Sequence, residues 1–276
     1  MLDFAWAADK DYSVESFVVP DGPKVFFVYQ KSEKTKYWEE AKPYITKYYQ
    51  IMNNTFGRYV YPTYSFVQGG DGGMEYGMCT MILGESKSLE GLLGLMIHEG
   101  SHSWFQQMLA TNESTKPWLD EGFTSYAESY VMYQLFPKTN EANPFINSLK
   151  GYAYFAKSGR EEPASWLSDH HDNGTAYSVA SYTKGELFLV ELGYIMGEET
   201  LSKVMKKYYQ DWHLKHPSDR DFMHIAQQIS GMDLKWFYHY WINTTKTIDY
   251  AIKDVKYGDT YTTITLVNNS DVPMPI

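Results

Sequence analysis

Two histidines and a glutamate stand at a spacing that can hold a metal ion. The stretch HEGSHSWFQQMLATNESTKPWLDE contains His98-Glu99-x-x-His102, then eighteen residues, then Glu121. On a helix, residues four apart lie on one face, about 40° apart around the axis, so both imidazoles can reach one ion. Three protein donors with a fourth position left open describe a catalytic zinc site rather than a structural one. Glu99 lies beside these donors and is expected to work on water instead of binding the ion. Zinc lowers the pKa of a coordinated water towards about 7. A neighbouring carboxylate can then take the proton and pass it to a leaving amine. The competing reading makes His98 and His102 half-buried core residues and Glu99 a helix-surface carboxylate.

Two helices must present these groups. Ser86 or Ser88 can cap the first, whose apolar positions Leu89, Leu92, Leu93, Met96 and Ile97 recur at helical spacing. Pro117 suits the first turn of the second, PWLDEGFTSYAESYVMYQLF, which carries Glu121. Upstream, residues 25–29, 59–67 and 79–83 read as strands. A helix is expected from Ser32 to about Phe56, with Pro43 dividing or kinking it. Downstream, helical patterns cover 143–157, 177–196 and 198–213, and SDRDF (218–222) offers a further cap. After Thr247, IDYAIKDVKY and TYTTITLVNN alternate at period two, which predicts an antiparallel pair.

The bulk numbers exclude some classes. The 276 residues carry a formal net charge of −10, so no basic footprint for nucleic acid exists. No apolar run is long enough to span a membrane, and the first residues, MLDFAWAADKDY, lack the signal-peptide order of charge and apolarity. A single cysteine, Cys79, forbids an intrachain disulfide and a thiolate metal cluster. His170-His171 reads as part of an exposed polar loop, and Asp120 as either a ligand-orienting group or a first-turn helix carboxylate.

HEGSHSW with the distal glutamate of WLDEGFTSYAE resembles the gluzincin aminopeptidases, the family of aminopeptidase N. Upstream, Gly72-Gly73-Met74-Glu75-Tyr76 resembles that family's exopeptidase signature, Gly-(Ala/Gly)-Met-Glu-Asn, with Tyr76 in place of the asparagine. The resemblance implies that this segment, with Gly73, Met74 and Glu75, binds substrate, and that Glu75 holds the free α-amine of a peptide. A carboxylate near a metal would pair with an ammonium and fix the first residue in place. Ser181-Tyr182-Thr183-Lys184-Gly185 resembles the family's Tyr-x-Lys-Gly segment. That match implies that the Tyr182 hydroxyl stabilises the oxyanion of the tetrahedral intermediate. Tyr177 also matches a family tyrosine and is the second candidate. Gly100 and Ser101 depart from the family's zinc motif.

The resemblance implies an α+β, thermolysin-like catalytic domain over residues 19–247, with a small mixed sheet and a mainly helical part. Residues 1–18 resemble the tail of an upstream β domain, and 248–276 the start of a truncated β-sandwich. The expected cofactor is one zinc ion per chain, bound by His98, His102 and Glu121. The expected partners are peptides with a free N-terminus and flanking domains of a longer protein. A zinc endopeptidase or another hydrolase of the same clan, and a non-catalytic zinc-containing binding domain, are the alternatives.

Overall fold

The computed structural model describes residues 2–70, 72–137 and 143–276; Asp71, within the glycine-rich stretch 69–78, lies outside them. Strands β1 (Ser13–Val18) and β2 (Lys24–Tyr29) form an antiparallel hairpin, with Ser13 opposite Tyr29. Helix α1 (Tyr37–Thr55) then crosses over to β3 (Thr63–Gln68), which pairs parallel with β2. Strand β4 (Gly73–Tyr76) forms the outer edge, antiparallel to β5 (Cys79–Ile82), and β5 pairs parallel with β3. The mixed sheet therefore runs β1-β2-β3-β5-β4. The edge strand β4 carries the Gly73-Met74-Glu75-Tyr76 segment, which the sequence patterning does not mark as a strand. Its pairing with β5, reinforced by the Thr80 hydroxyl donating to the Met74 carbonyl at 2.9 Å, holds it extended.

Helix α1 runs unbroken through Pro43. An interior proline costs about 3 kcal/mol, but this helix buries Trp38, Ala41, Ile45, Tyr48, Tyr49 and Met52 on one side. At roughly 1.5–3 kcal/mol for each large apolar side chain removed from water, that burial outweighs the loss. Trp38 stacks on Tyr29 at 4.7 Å and meets Phe27 edge-on, while its indole donates to the Gly84 carbonyl at 2.9 Å.

Helix α2 (Leu89–His102) starts at Ser88, whose hydroxyl accepts the Gly91 N–H at 3.1 Å. Its apolar side, Leu92, Leu93, Met96 and Ile97, is buried. The departures from the family motif have a packing reason. A Cβ on Gly100 would lie 2.9 Å from the Tyr48 hydroxyl of α1, and the neighbouring Ser101 donates to that hydroxyl at 3.4 Å. The helix then widens into a π turn at Ser103–Met108.

Helix α3 (Pro117–Leu135) opens with Pro117 in its first turn. There follow α4 (Ile146–Ala156), α5 (Gly174–Ser178), a second π turn at Val179–Thr183 and α6 (Lys184–Met196). Helices α7 (Glu198–Trp212), α8 (Asp219–Ser230) and α9 (Lys235–Asn243) complete the helical half. Helices α3 and α6 approach backbone to backbone: a Cβ added to Gly122 would meet the Gly185 Cα at 2.4 Å. This contact sits one residue from Glu121 and three from Tyr182, so it sets how close those two side chains can come. Beyond it, β6 (Tyr250–Tyr257) and β7 (Thr262–Asn268) form the separate antiparallel pair, largely exposed. No helix among the described residues is long and apolar enough to cross a membrane.

Glu186, next to this contact, is 3% exposed. Burial raises its carboxyl to about 7, against opposing hydrogen bonds from Ser129 and Ser148. A carboxyl raised on folding contributes stability that is full below its unfolded value and is lost as pH rises through about 7. The effect is on the order of 3 kcal/mol. Between pH 5 and 8, the unfolding temperature of the wild type should therefore fall relative to that of Glu186→Gln. Parallel melting curves for the two proteins would contradict this.

Candidate active site

The last turns of α2 and the first of α3 bring the three expected donors together. His98 Nε2, His102 Nε2 and Glu121 Oε2 each lie 3.3 Å from the other two. Donors about 2.0–2.1 Å from a tetrahedral zinc are separated by about 3.3–3.4 Å, so this triangle has the right size. The fourth direction opens into a cavity of about 280 Å³ lined by Gly73, Met74, Glu75, Glu99, Glu113, Tyr177 and Tyr182 among others. The donor chemistry, two imidazoles and one carboxylate, is that of a catalytic zinc site.

Each imidazole is oriented from behind. His102 Nδ1 faces Asp120 Oδ1 at 2.5 Å, which puts this first-turn carboxylate in position to orient the imidazole. His98 Nδ1 faces Glu128 Oε2 at 3.0 Å. Such partners fix ring orientation and increase ligand basicity. Burial pushes the His98 imidazole down, but Glu121 and Glu128 more than offset this and raise it to about 9. Burial likewise opposes charge on His102, and Asp120 with Glu121 raises it well above its usual value. Burial disfavours the Glu121 carboxylate, yet the two imidazoles hold it well below the usual range.

Glu99 is 6% exposed, and burial raises its carboxyl. Space for it comes from the facing strand: a Cβ on Gly73 would sit 2.2 Å from Glu99 Oε1. Glu75, on β4, is 7% exposed, and its carboxylate comes within 4.0 Å of His102 Nδ1. Burial, with the charges of Asp120 and Glu121, raises it to about 7 against the pull of His102. The Tyr182 hydroxyl donates to Glu121 Oε1 at 2.7 Å, and its ring stacks on His98 at 5.7 Å. Tyr177 meets Tyr182 edge-on at 6.2 Å and lines the same cavity. All nine residues singled out in the sequence thus converge on one cleft between β4, α2, α3 and the π turn before α6.

Two neighbours escaped sequence reading. Glu128 lies seven residues after Glu121 on the same face of α3, a spacing that could have been noticed. Glu113 belongs to a loop, and only the fold carries it to Glu75. The pair His170-His171 divides: the His170 side chain is 63% exposed, whereas that of His171 is 1% exposed with Nδ1 on Glu162 at 2.6 Å.

A largely enclosed His-His-Glu triangle with a carboxylate beside it, set between a mixed sheet and a helical half, has the make-up of a metallopeptidase site. The chain belongs to peptidase family M1, whose domain model matches residues 43–241. It is 27% identical over 246 residues to aminopeptidase B of Rattus norvegicus, covering 80% of this chain and 37% of that protein. It is 26% identical over 167 residues to aminopeptidase M1-A of Oryza sativa subsp. japonica, covering 60% and 19%. The chain thus spans well under half the length of these relatives. Among solved structures, an M1 zinc metallopeptidase from Deinococcus radiodurans aligns with a TM-score of 0.67 at 14% identity, covering 84% of this chain and 51% of that one. Leukotriene A4 hydrolase from Saccharomyces cerevisiae aligns with a TM-score of 0.63 at 16% identity, covering 83% and 38%.

Proposed function

We propose that this chain is the catalytic part of a zinc aminopeptidase, which removes the first residue from peptides with a free N-terminus. The observation that carries this reading is Glu75: a buried carboxylate on an edge strand, lining the same cavity as the donor triad. His98, His102 and Glu121 hold one zinc ion, which when bound supplies Lewis-acid polarisation and a water of lowered pKa. Glu99 takes the proton from the attacking water and delivers it to the leaving amine. The Tyr182 hydroxyl donates to the oxyanion that develops on the scissile carbonyl. Glu75 pairs with the α-ammonium and so fixes the distance from the amino terminus to the scissile bond. Gly73 and Met74 line the path of the first residue, and Tyr177 packs beside Tyr182. The exposed hairpin β6–β7 is read as the start of a further β domain, and flanking domains as contributors to the cleft.

Acetylating the amino terminus of a short peptide tests the exopeptidase reading. The ammonium is lost, so cleavage of the first bond should disappear. Undiminished cleavage of the acetylated peptide would identify an endopeptidase instead.

A further inference from the structure

We propose that the buried ion pair of Lys184 and Glu161 is a positioning device for Tyr182, holding its hydroxyl at Glu121. The proposal rests on the reading of Tyr182 as the oxyanion donor and adds what keeps that donor in place. Lys184 takes no part in the steps proposed above, yet it is 1% exposed. Burial pushes its ammonium down, and Glu161 opposes this. Its Nζ pairs with Glu161 Oε1, on a side chain 4% exposed, and donates to the Thr244 carbonyl at 2.9 Å. The Tyr152 hydroxyl of α4 donates to the same carboxylate oxygen at 3.0 Å. The Trp241 indole of α9 donates to the Lys184 carbonyl at 2.9 Å. Helices α4, α6 and α9 and the loop that carries Glu161 thus meet at one residue.

The place of Lys184 in the chain explains why this knot bears on the cleft. Tyr182 lies in the π turn Val179–Thr183, and Lys184 opens α6 directly after it. At about 100° per residue, side chains two apart point to roughly opposite sides of a helix. Tyr182 reaches Glu121 on one side while Lys184 reaches Glu161 on the other, so anchoring the lysine fixes the rotation of the tyrosine. The anchor is itself pinned. Glu162, the next residue, meets His171 Nδ1 at 2.6 Å and accepts the Asp172 N–H at 3.2 Å. Ser165 N–H donates to the Ile242 carbonyl at 3.0 Å. The loop is thereby tied to the start of the tyrosine-bearing segment and to α9. A buried ion pair is a weak source of stability, because apolar groups of similar volume often serve as well or better. What it imposes is a single geometry, since an ammonium taken out of water must keep its partners.

The test replaces the pair as a whole, Lys184→Met together with Glu161→Gln, which removes both charges at nearly constant volume and keeps an acceptor for Tyr152. Turnover of an aminoacyl-anilide that the wild type cleaves, zinc content and a crystal structure are the readouts. kcat should fall about tenfold or more with KM and zinc content unchanged, because a misplaced oxyanion donor is felt only in the transition state. In a Tyr182→Phe background the same replacement should lower kcat less than about twofold. The crystal structure should show the Tyr182 hydroxyl out of hydrogen-bond range of Glu121. An unchanged kcat would overturn the proposal. So would an equal loss in both backgrounds, which is what a general loosening of the fold produces. Should Tyr182→Phe alone leave kcat intact, or the wild type cleave no anilide, the oxyanion or the aminopeptidase reading fails instead. The crystal structure then judges the pair by itself: a hydroxyl still 2.7 Å from Glu121 defeats the proposal, and a displaced one upholds it. Glu161→Ala, read by the same ratio and the same distance, takes the place of the pair variant if that variant does not fold.

Discussion

Replacing Glu99 with glutamine should lower turnover of aminoacyl-anilides by about 10³-fold while zinc remains bound. The two side chains have nearly the same size, so the pocket left open by Gly73 accommodates either one. The triad His98, His102 and Glu121 keeps its orienting partners Asp120 and Glu128. What changes is proton transfer, because an amide cannot take a proton from water at neutral pH and return it to an amine. Metal analysis beside steady-state kinetics checks both halves of the expectation. A variant with full zinc and unimpaired turnover would remove Glu99 from the role of general base.

The second large effect concerns the two cleft tyrosines. Tyr182→Phe should lower kcat by about 10²–10³-fold, the loss seen when a single oxyanion donor is removed, with little change in KM. Tyr177→Phe should cost far less. The asymmetry follows from position: the Tyr182 hydroxyl already lies 2.7 Å from a carboxylate of the triad, whereas Tyr177 lines the cavity from beside the Tyr182 ring, 6.2 Å away edge-on. Kinetics of the two variants, each with zinc content measured, decide the matter. Equal losses, or a larger loss at Tyr177, would reverse the assignment.

Much of this cleft was legible because its groups ride on strongly patterned helices. The spacing of His98 and His102 coincides with a capped, apolar-faced helix, and Pro117 marks the start of the helix that brings Glu121. The period-two alternation near the C-terminal end likewise produced the expected antiparallel pair. Features that depend on distant pairing were not legible. Strand β4 is too short and glycine-rich to announce itself, and it is extended only because β5 pairs with it. His171 is polar by type, and the nearby Glu162 makes its burial tolerable. Pro43 signals a break that the packing of Trp38, Ile45 and Tyr48 overrides. Glu113 reaches Glu75 only after the sheet and the loop that follows α2 have both formed.

The π turn at Val179–Thr183 has a consequence for how this region tolerates change. A wide turn accommodates one residue more than an α-helical turn would, and it does so directly at Tyr182. Each residue added or removed in an α-helix rotates everything beyond it by about 100°. On one side the chain is pinned by Asn173, whose side chain accepts the N–H groups of Thr175 and Ala176, and on the other by the Gly122–Gly185 contact. Between these fixed points the number of residues is itself a coordinate of the site. Many side chains there can be exchanged, but shortening the segment by one residue would turn the tyrosine away from Glu121 without altering a single group in the cleft.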